Sequence, residues 1–399
     1  MSNHTLHARK GRLILTSLVI STFATWIPWI LTGLLLIDIG FTFGRSVGIT
    51  GQIRTVSSIV GVVTAFILGG LSVRFSYKHL LLVGLSSVAI SALVCSLAQN
   101  FETVMASYSL LGIAMATVLP MATSLVAEHF PLEKRAGAVG WIIAGTALSG
   151  IIGAPIIDFV AGVGGWRLAF LGFVLPVSIL SILLVVVGLP SRSKHQPAVS
   201  REEYLEGYKG VLLNRSAVAC VVGYALSLTA FQAIGFYSPS FFRQRFLVPT
   251  GFASMMVSGL YLCLIFGSLI SGRLVSRFGR KPVTAYTVFI AGVFIVTFNN
   301  LPNLWLSLTL ALLGYMSAGT VISASHSLAL EQVPRFRGTM MSINSGAEKM
   351  GAALGAGIGG VILLFYGWGF MGALLGAMGI SAAAIYHFLV IDPVRTESN

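Results

Sequence analysis

Acidic residues are scarce in this 399-residue chain. Twelve Asp and Glu stand against 25 Lys and Arg, and charged residues of both signs make up only 9%. Soluble domains carry about 25% charged residues, so the shortage excludes an ordinary water-soluble fold. Disorder is excluded too, because it needs low hydrophobicity and high net charge. Cysteine is nearly absent: Cys95, Cys220 and Cys263 lie in apolar runs without paired spacing, which argues against a disulfide framework or a zinc site. There is no G-x-x-x-x-G-K-[ST] phosphate loop and no H-E-x-x-H pair. ATP-driven work, a metal, a cofactor and an enzymatic activity are therefore not expected.

What is abundant is apolar. The chain is 56% hydrophobic, with a mean hydropathy of +0.90. At roughly 20 residues per bilayer crossing, there is room for about a dozen spans and none for a sizeable soluble domain. Nearly uncharged runs occupy 13–37, 46–73, 79–101, 103–127, 136–157, 168–189, 216–242, 246–272, 282–330 and 350–391. The last two are double length. One is broken at Asn299-Asn300-Leu301-Pro302-Asn303, the other at Tyr366-Gly367-Trp368-Gly369, both turn signals. The expectation is an all-α membrane protein with twelve transmembrane helices. The first run lacks a small-residue cleavage motif and reads as a retained helix.

The net charge of +13 then reads as topology. With both termini cytoplasmic, 19 of the 25 basic residues fall on the inner side and four, Arg45, Arg167, Arg243 and Arg245, on the outer. This is the positive-inside pattern of an inner or plasma membrane protein, and it leaves no role for nucleic acid. The longest polar stretch, 190–215, falls halfway along the chain. Within it, 201–214 (REEYLEGYKGVLLN) suits either a short amphipathic surface helix or a solvated linker. The expected domains are a six-helix bundle at 1–189, this linker, and a second bundle at 216–399.

Self-comparison supports that division. At an offset of 203, Gly69, Leu71, Arg74, Phe75 and Lys78 match Gly272, Leu274, Arg277, Phe278 and Lys281, and Glu128 and Pro131 match Glu331 and Pro334. At 202, Arg135 matches Arg337 and Gly165-Trp166 matches Gly367-Trp368. The small-residue ladder Gly145, Ser149, Gly153 falls on Ala347, Gly351, Gly355; such faces let helix backbones approach closely in lipid.

The loop at Gly272–Lys281 resembles the G-x-L-x-D-R-x-G-R-R/K signature of the major facilitator superfamily. It keeps Gly272, Leu274, Arg277, Gly279, Arg280 and Lys281, with Ser276 in place of Asp. In the first copy Val73 stands at the Asp position. The Gly165–Phe170 stretch and Ala154-Pro155 are also similar to superfamily features. The resemblance implies two pseudo-symmetric bundles that rock about a central site, a monomer, a small-molecule substrate and a coupling proton. It implies that Arg74, Lys78, Arg277, Arg280 and Lys281 act as a cytoplasmic latch, with Glu128 and Glu331 replacing the lost Asp partners. It implies further that helices one, four, seven and ten line the cavity, with Trp26, Trp29, Tyr108, Tyr224, Gln232, Tyr315 and His326 as candidates. So aromatic a lining suits amphipathic molecules, and the drug- and metabolite-exporting members are the nearest in character. The R-x-x-Q-G pattern of many drug–proton antiporters has Tyr108 and Leu111 at its Arg and Gln positions here.

Ionisable groups inside spans mark function by default. Arg54, Glu348 and Lys349 are such groups. Asn344 and Glu348, four residues apart, share a helix face. Since helices two and eleven pack together in the superfamily, all three charges are expected in one cluster. Three readings stay open: a structural ion network, a proton-coupling Glu348, and an anion site made by Arg54 and Lys349. The corresponding functions are proton-coupled export of amphipathic compounds and uptake of an organic anion. A non-transporting membrane sensor is the third alternative.

Overall fold

The computed structural model describes residues 2–190 and 201–392, without the side chains of 2–10, 69–73, 132, 136 and 201–205. The linker cations Arg192 and Lys194 and the tail residue Arg395, all counted toward topology, lie outside the described residues. The helices run in chain order as α1 Ser2–Leu34, α2 Leu36–Thr42, α3 Val47–Arg74, α4 Tyr77–Leu97, α5 Phe101–Ser109, α6 Leu111–His129, α7 Leu132–Ile151, α8 Gly153–Ala169, α9 Leu175–Gly188 and α10 Arg201–Leu212. They continue as α11 Arg215–Phe246, α12 Thr250–Phe278, α13 Arg280–Asn300, α14 Leu304–Gln332, α15 Arg337–Phe365 and α16 Gly367–Phe388. No strand occurs among the described residues.

Among the described residues, eleven helical stretches are long and apolar enough to cross a membrane, one of them 56 residues long, Glu133–Gly188. At 1.5 Å per residue that stretch would extend about 84 Å, far beyond a hydrocarbon core of about 30 Å. The backbone leaves helical geometry at Gly164 and Gly165, so it makes two crossings, and twelve spans result. Helix suits these spans, because it pairs every backbone polar group within the segment where lipid offers no partner.

Two compact units are present: residues 1–46, 56–198 and 249–258 in the first, and 47–55, 199–248 and 259–399 in the second. In the first, α1 packs on α7 and α9, and α4 packs on α6 and α9. In the second, α11 packs on α15 and α16, and α13 packs on α14 and α16. Shifting each member of the first set by about 203 residues gives the second.

Local conformation repeats as well. Gly165 and Gly367 both have positive φ, 73° and 76°. Each starts a helix whose tryptophan reaches back to an earlier one: Trp166 Nε1 donates to Thr42 Oγ1 at 2.9 Å, and Trp368 Nε1 to Gln244 Oε1 at 3.1 Å. Asn100 and Asn303, 203 apart, cap α5 and α14 by accepting from the amides of Thr103 and Leu306. Such caps satisfy donors that the first helical turn leaves unpaired. The linker segment at 201–212 is a helix, α10, with Val211 buried and Glu206 paired with Arg335 at 3.3 Å.

Candidate functional site

The second unit holds the principal intramembrane charges. α15 and α11 are held close by small residues. A Cβ on Gly351 would lie 2.7 Å from the Ala225 carbonyl oxygen, and Gly355 faces Thr229 and Ala233 in the same way. This parallel register sets Glu348 level with Tyr224, and Asn344 one turn lower, level with Cys220.

Glu348 Oε1 accepts a hydrogen bond from Lys349 Nζ at 3.2 Å, and the two side chains are 25% and 20% exposed. Tyr224 Oη and His326 Nε2 are 3.0 Å apart, with ring centroids at 5.3 Å. Both rings interact electrostatically with Glu348. Three helices, α11, α14 and α15, therefore converge a carboxylate, an ammonium, an imidazole and a phenol within the spans. Taking an ion pair out of water costs more than its Coulomb attraction usually returns, so stability alone is a poor reason for these groups. Behind them, Tyr386 Oη donates to Ser325 Oγ at 3.1 Å and to the Cys220 carbonyl at 3.4 Å. Tyr386 was not singled out from the sequence. Its signal is that a buried tyrosine needs a hydrogen-bond partner for its hydroxyl.

Arg54 lies elsewhere in the same unit, which corrects the expectation of one cluster. Its guanidinium is buried, donates to Gln232 Oε1 at 2.7 Å and stacks 4.7 Å over the Phe236 ring. The neighbouring Gln52 Nε2 donates to the Gly357 carbonyl at 3.3 Å. Nine residues separate Gly357 from Glu348, about 13 Å along the helix, beyond the span of an arginine side chain. α3 meets α15 near one end through Gln52 and Thr55, which flank Arg54, whereas Glu348 lies nearer the other. Tyr237, which donates to the Ala356 carbonyl at 2.9 Å, closes the same region.

The other cavity candidates divide. Trp26 is half-buried and Trp29 buried, with rings 5.9 Å apart. Tyr108 is fully buried, and its hydroxyl is committed to the Pro28 carbonyl at 3.2 Å. Tyr315 lies 6.4 Å from Tyr261, ring to ring, and its hydroxyl abuts Gly235.

The latch candidates are engaged differently from the expectation. Lys78 is buried, and its Nζ donates to the carbonyls of Val186 at 2.9 Å and Leu189 at 2.5 Å. It thereby satisfies the end of α9, where unpaired carbonyls and the helix dipole favour a cation. Glu331 pairs with Arg337 at 2.9 Å rather than with the basic loop. Arg280 Nε donates to Ser327 Oγ at 3.0 Å, and Arg277 lies 5.3 Å from the Phe278 ring. Arg74 is exposed, and Lys281 and Glu128 are half-buried.

Known proteins resemble the chain throughout its length. The family model described as Major Facilitator Superfamily matches residues 18–252 and 221–399. Among curated relatives, the "Uncharacterized MFS-type transporter YwfA" of Bacillus subtilis is 25% identical over 375 residues, covering 92% of this chain and 90% of that one. A "Probable sugar efflux transporter" of Helicobacter pylori is 25% identical over 370 residues, covering 91% of each. Among solved structures, a D-xylose-proton symporter aligns with a TM-score of 0.77 at 16% identity, covering 95% of this chain and 97% of that one. A bacterial homolog of the human lysosomal transporter Spinster, inward-facing and unoccupied, aligns with a TM-score of 0.73 at 16% identity, covering 96% and 95%.

Proposed function

Because the chain belongs to the major facilitator superfamily and is an integral membrane transporter rather than an enzyme, we propose that it exports small amphipathic molecules in exchange for protons. In this reading the two bundles rock about a central site, so access alternates between the two faces. The protein acts as a monomer in the plasma membrane, with both termini cytoplasmic. The observation that carries the proposal is the Glu348–Lys349 pair beside His326 and Tyr224. A carboxylate held within a span by an adjacent ammonium can accept a proton and release its partner, which changes the local charge by one. That change is what a coupled carrier needs in order to link proton movement to a change of conformation.

The same pair weighs against organic-anion uptake. Lys349 is already neutralised by Glu348, and Arg54 is engaged by Gln232 and Phe236. The aromatic groups along α1, α11 and α14 support an amphipathic substrate, because apolar walls with few polar groups bind such molecules. The names of the Helicobacter relatives favour a sugar instead, so the test includes one.

The protein is reconstituted in liposomes with an imposed pH gradient and offered ethidium, chloramphenicol, D-xylose and benzoate. Gradient-driven movement of ethidium or chloramphenicol, with proton flux lost in Glu348→Gln, is the expected result. Movement of benzoate alone, or unchanged proton flux in Glu348→Gln, overturns it.

A further inference from the structure

Asn344 lies one turn before Glu348 on the same face of α15. It is fully buried, and neither Nδ2 nor Oδ1 has a hydrogen-bond partner among the described residues. Buried polar groups normally carry partners, and a carboxamide left wholly unsatisfied calls for an explanation. Helical side chains lean toward the N-terminus of their helix, so the Glu348 carboxyl tilts over the turn that begins at Asn344. Lys349, the next residue along, flanks it from the side.

We propose that Asn344 is the positioning residue for the protonated form of Glu348, a role that rests on the coupling reading above. The charged carboxylate accepts from Lys349 and has two acceptor oxygens but no donor. The neutral carboxyl has one donor and one acceptor, and a carboxamide has both in complementary order. On taking up one proton from the aqueous phase, Glu348 releases the Lys349 Nζ–H. The acid O–H then donates to Asn344 Oδ1, and Asn344 Nδ2 donates to the acid carbonyl oxygen. No other bond is made or broken, and the net charge of the Glu348–Lys349 pair rises from zero to +1. Lys349, a fifth exposed, carries that charge toward the accessible side. Glu348 is thus a two-position group, ion-paired when charged and amide-paired when neutral. The unsatisfied carboxamide is the vacant second position.

The other groups facing this position are known. His326 of α14 and Tyr224 of α11 interact electrostatically with Glu348, and Cys220 of α11 and Tyr386 of α16 do so with Tyr224. Arg54 is a level apart, near Gly357, as described above. Arg335, Glu206 and Lys209 lie at the N-terminal end of α15, where α10 packs beside Phe336 and Thr339, five or more residues before Asn344. Of these side chains, Asn344 is the one carboxamide, with a donor and an acceptor side by side.

The test is an infrared pH titration of the full-length protein in lipid, read at the protonated-carboxyl C=O band, which needs no substrate. Glu348→Gln assigns the Glu348 component by removing it. Asn344→Leu, of similar size, is expected to move that component to higher frequency and its midpoint toward acid by about one pH unit, the equivalent of one or two lost hydrogen bonds. Asn344→Asp is expected to move the midpoint the opposite way, because a neighbouring carboxylate holds the proton more tightly. These opposite shifts are not the signature of a packing residue, and the Asp variant decides the matter if the Leu variant folds poorly. An unchanged frequency and midpoint in both variants overturns the role of Asn344 and leaves the coupling reading standing. If Glu348→Gln removes no component, the coupling reading falls, and the positioning role falls with it.

Discussion

Gly44 and Leu247 lie 203 residues apart, and both hold a left-handed backbone, φ 61° and 54°. Each follows the first helices of its repeat and precedes the next span, α3 or α12. Among the described non-glycine residues Leu247 is the one with positive φ. Leucine pays about 1–2 kcal/mol for that conformation, and glycine pays almost nothing. Leu247 is also exposed, at 85%, so little packing is lost with its side chain. Leu247→Gly is therefore expected to raise the melting temperature in detergent, whereas Gly44→Leu lowers it. A lower melting point for Leu247→Gly would mean that the exposed side chain is held by contacts worth more than the backbone strain.

The same logic applied to Gly165 and Gly367 gives losses. Either glycine changed to alanine introduces a Cβ at φ near 75°, and Gly165, with ψ −175°, sits in a region almost confined to glycine, so each costs about 1–3 kcal/mol. Comparable falls in thermal stability are expected for the two single variants. Additive falls are expected in the double variant, since each glycine lies in its own unit.

Lys78 matches the family latch in position, yet it serves as a cap. Charge-assisted bonds to carbonyls are worth about 1.5–3 kcal/mol each before other losses. Lys78→Met should therefore destabilise the protein while the pH dependence of transport stays as in the parent. A thermal melt and a proton-flux assay on the same preparation check both halves. A stable Lys78→Met variant with altered flux would return the residue to the latch.

Much of the fold was legible because its signals are local. Charges punctuate the spans, Gly367 and Asn303 mark turns, and the repeated Gly-Trp and Arg-Phe pairs expose the duplication. Glu348, Lys349, Tyr224 and His326 could each be picked out as polar groups in apolar runs. What could not be read was their grouping. The heights of Arg54 and Glu348 depend on how far α3 runs along α15, which is set by the contacts of Gln52 and Thr55 with Gly357. Interhelical register of that kind leaves no periodicity in the sequence. The partners of Lys78 stay hidden for a related reason: they are the backbone carbonyls of Val186 and Leu189, and a carbonyl has no residue identity to recognise.

The Arg54–Gln232 bond separates a structural contribution from a functional one. Gln232→Leu removes the acceptor at 2.7 Å and leaves the guanidinium stacked on Phe236. A buried charge that loses one hydrogen bond costs about 1–3 kcal/mol. Arg54→Leu removes the charge and its desolvation cost together, so Arg54→Leu/Gln232→Leu should be more stable than Gln232→Leu alone. Arg54→Lys is not a conservative change here, because an ammonium cannot lie flat on the ring as a guanidinium does. A double-mutant cycle in thermal stability is expected to give a coupling of about 1–2 kcal/mol between the two positions. No measurable coupling would make the contact incidental.

The Glu348–Lys349 pair yields the sharpest reversal of sign. Lys349→Met strips the carboxylate of its ammonium and leaves a charge in a low-dielectric region. A fully buried pair broken in this way loses about 3–5 kcal/mol. With a fifth to a quarter of each side chain exposed, solvent screening reduces that to about 1–3 kcal/mol. Neutralising the carboxylate as well removes the cause of the penalty, so Glu348→Gln/Lys349→Met should recover most of the lost stability. The double variant should nevertheless transport without proton movement, because the group that binds the proton is gone. Melting curves and proton flux measured on the same three proteins check this. If the double variant stays as unstable as Lys349→Met, the carboxylate was never the source of the loss. If it keeps proton flux, the coupling group is a different one, and His326, bonded to Tyr224 on α14 and α11, is the next to replace.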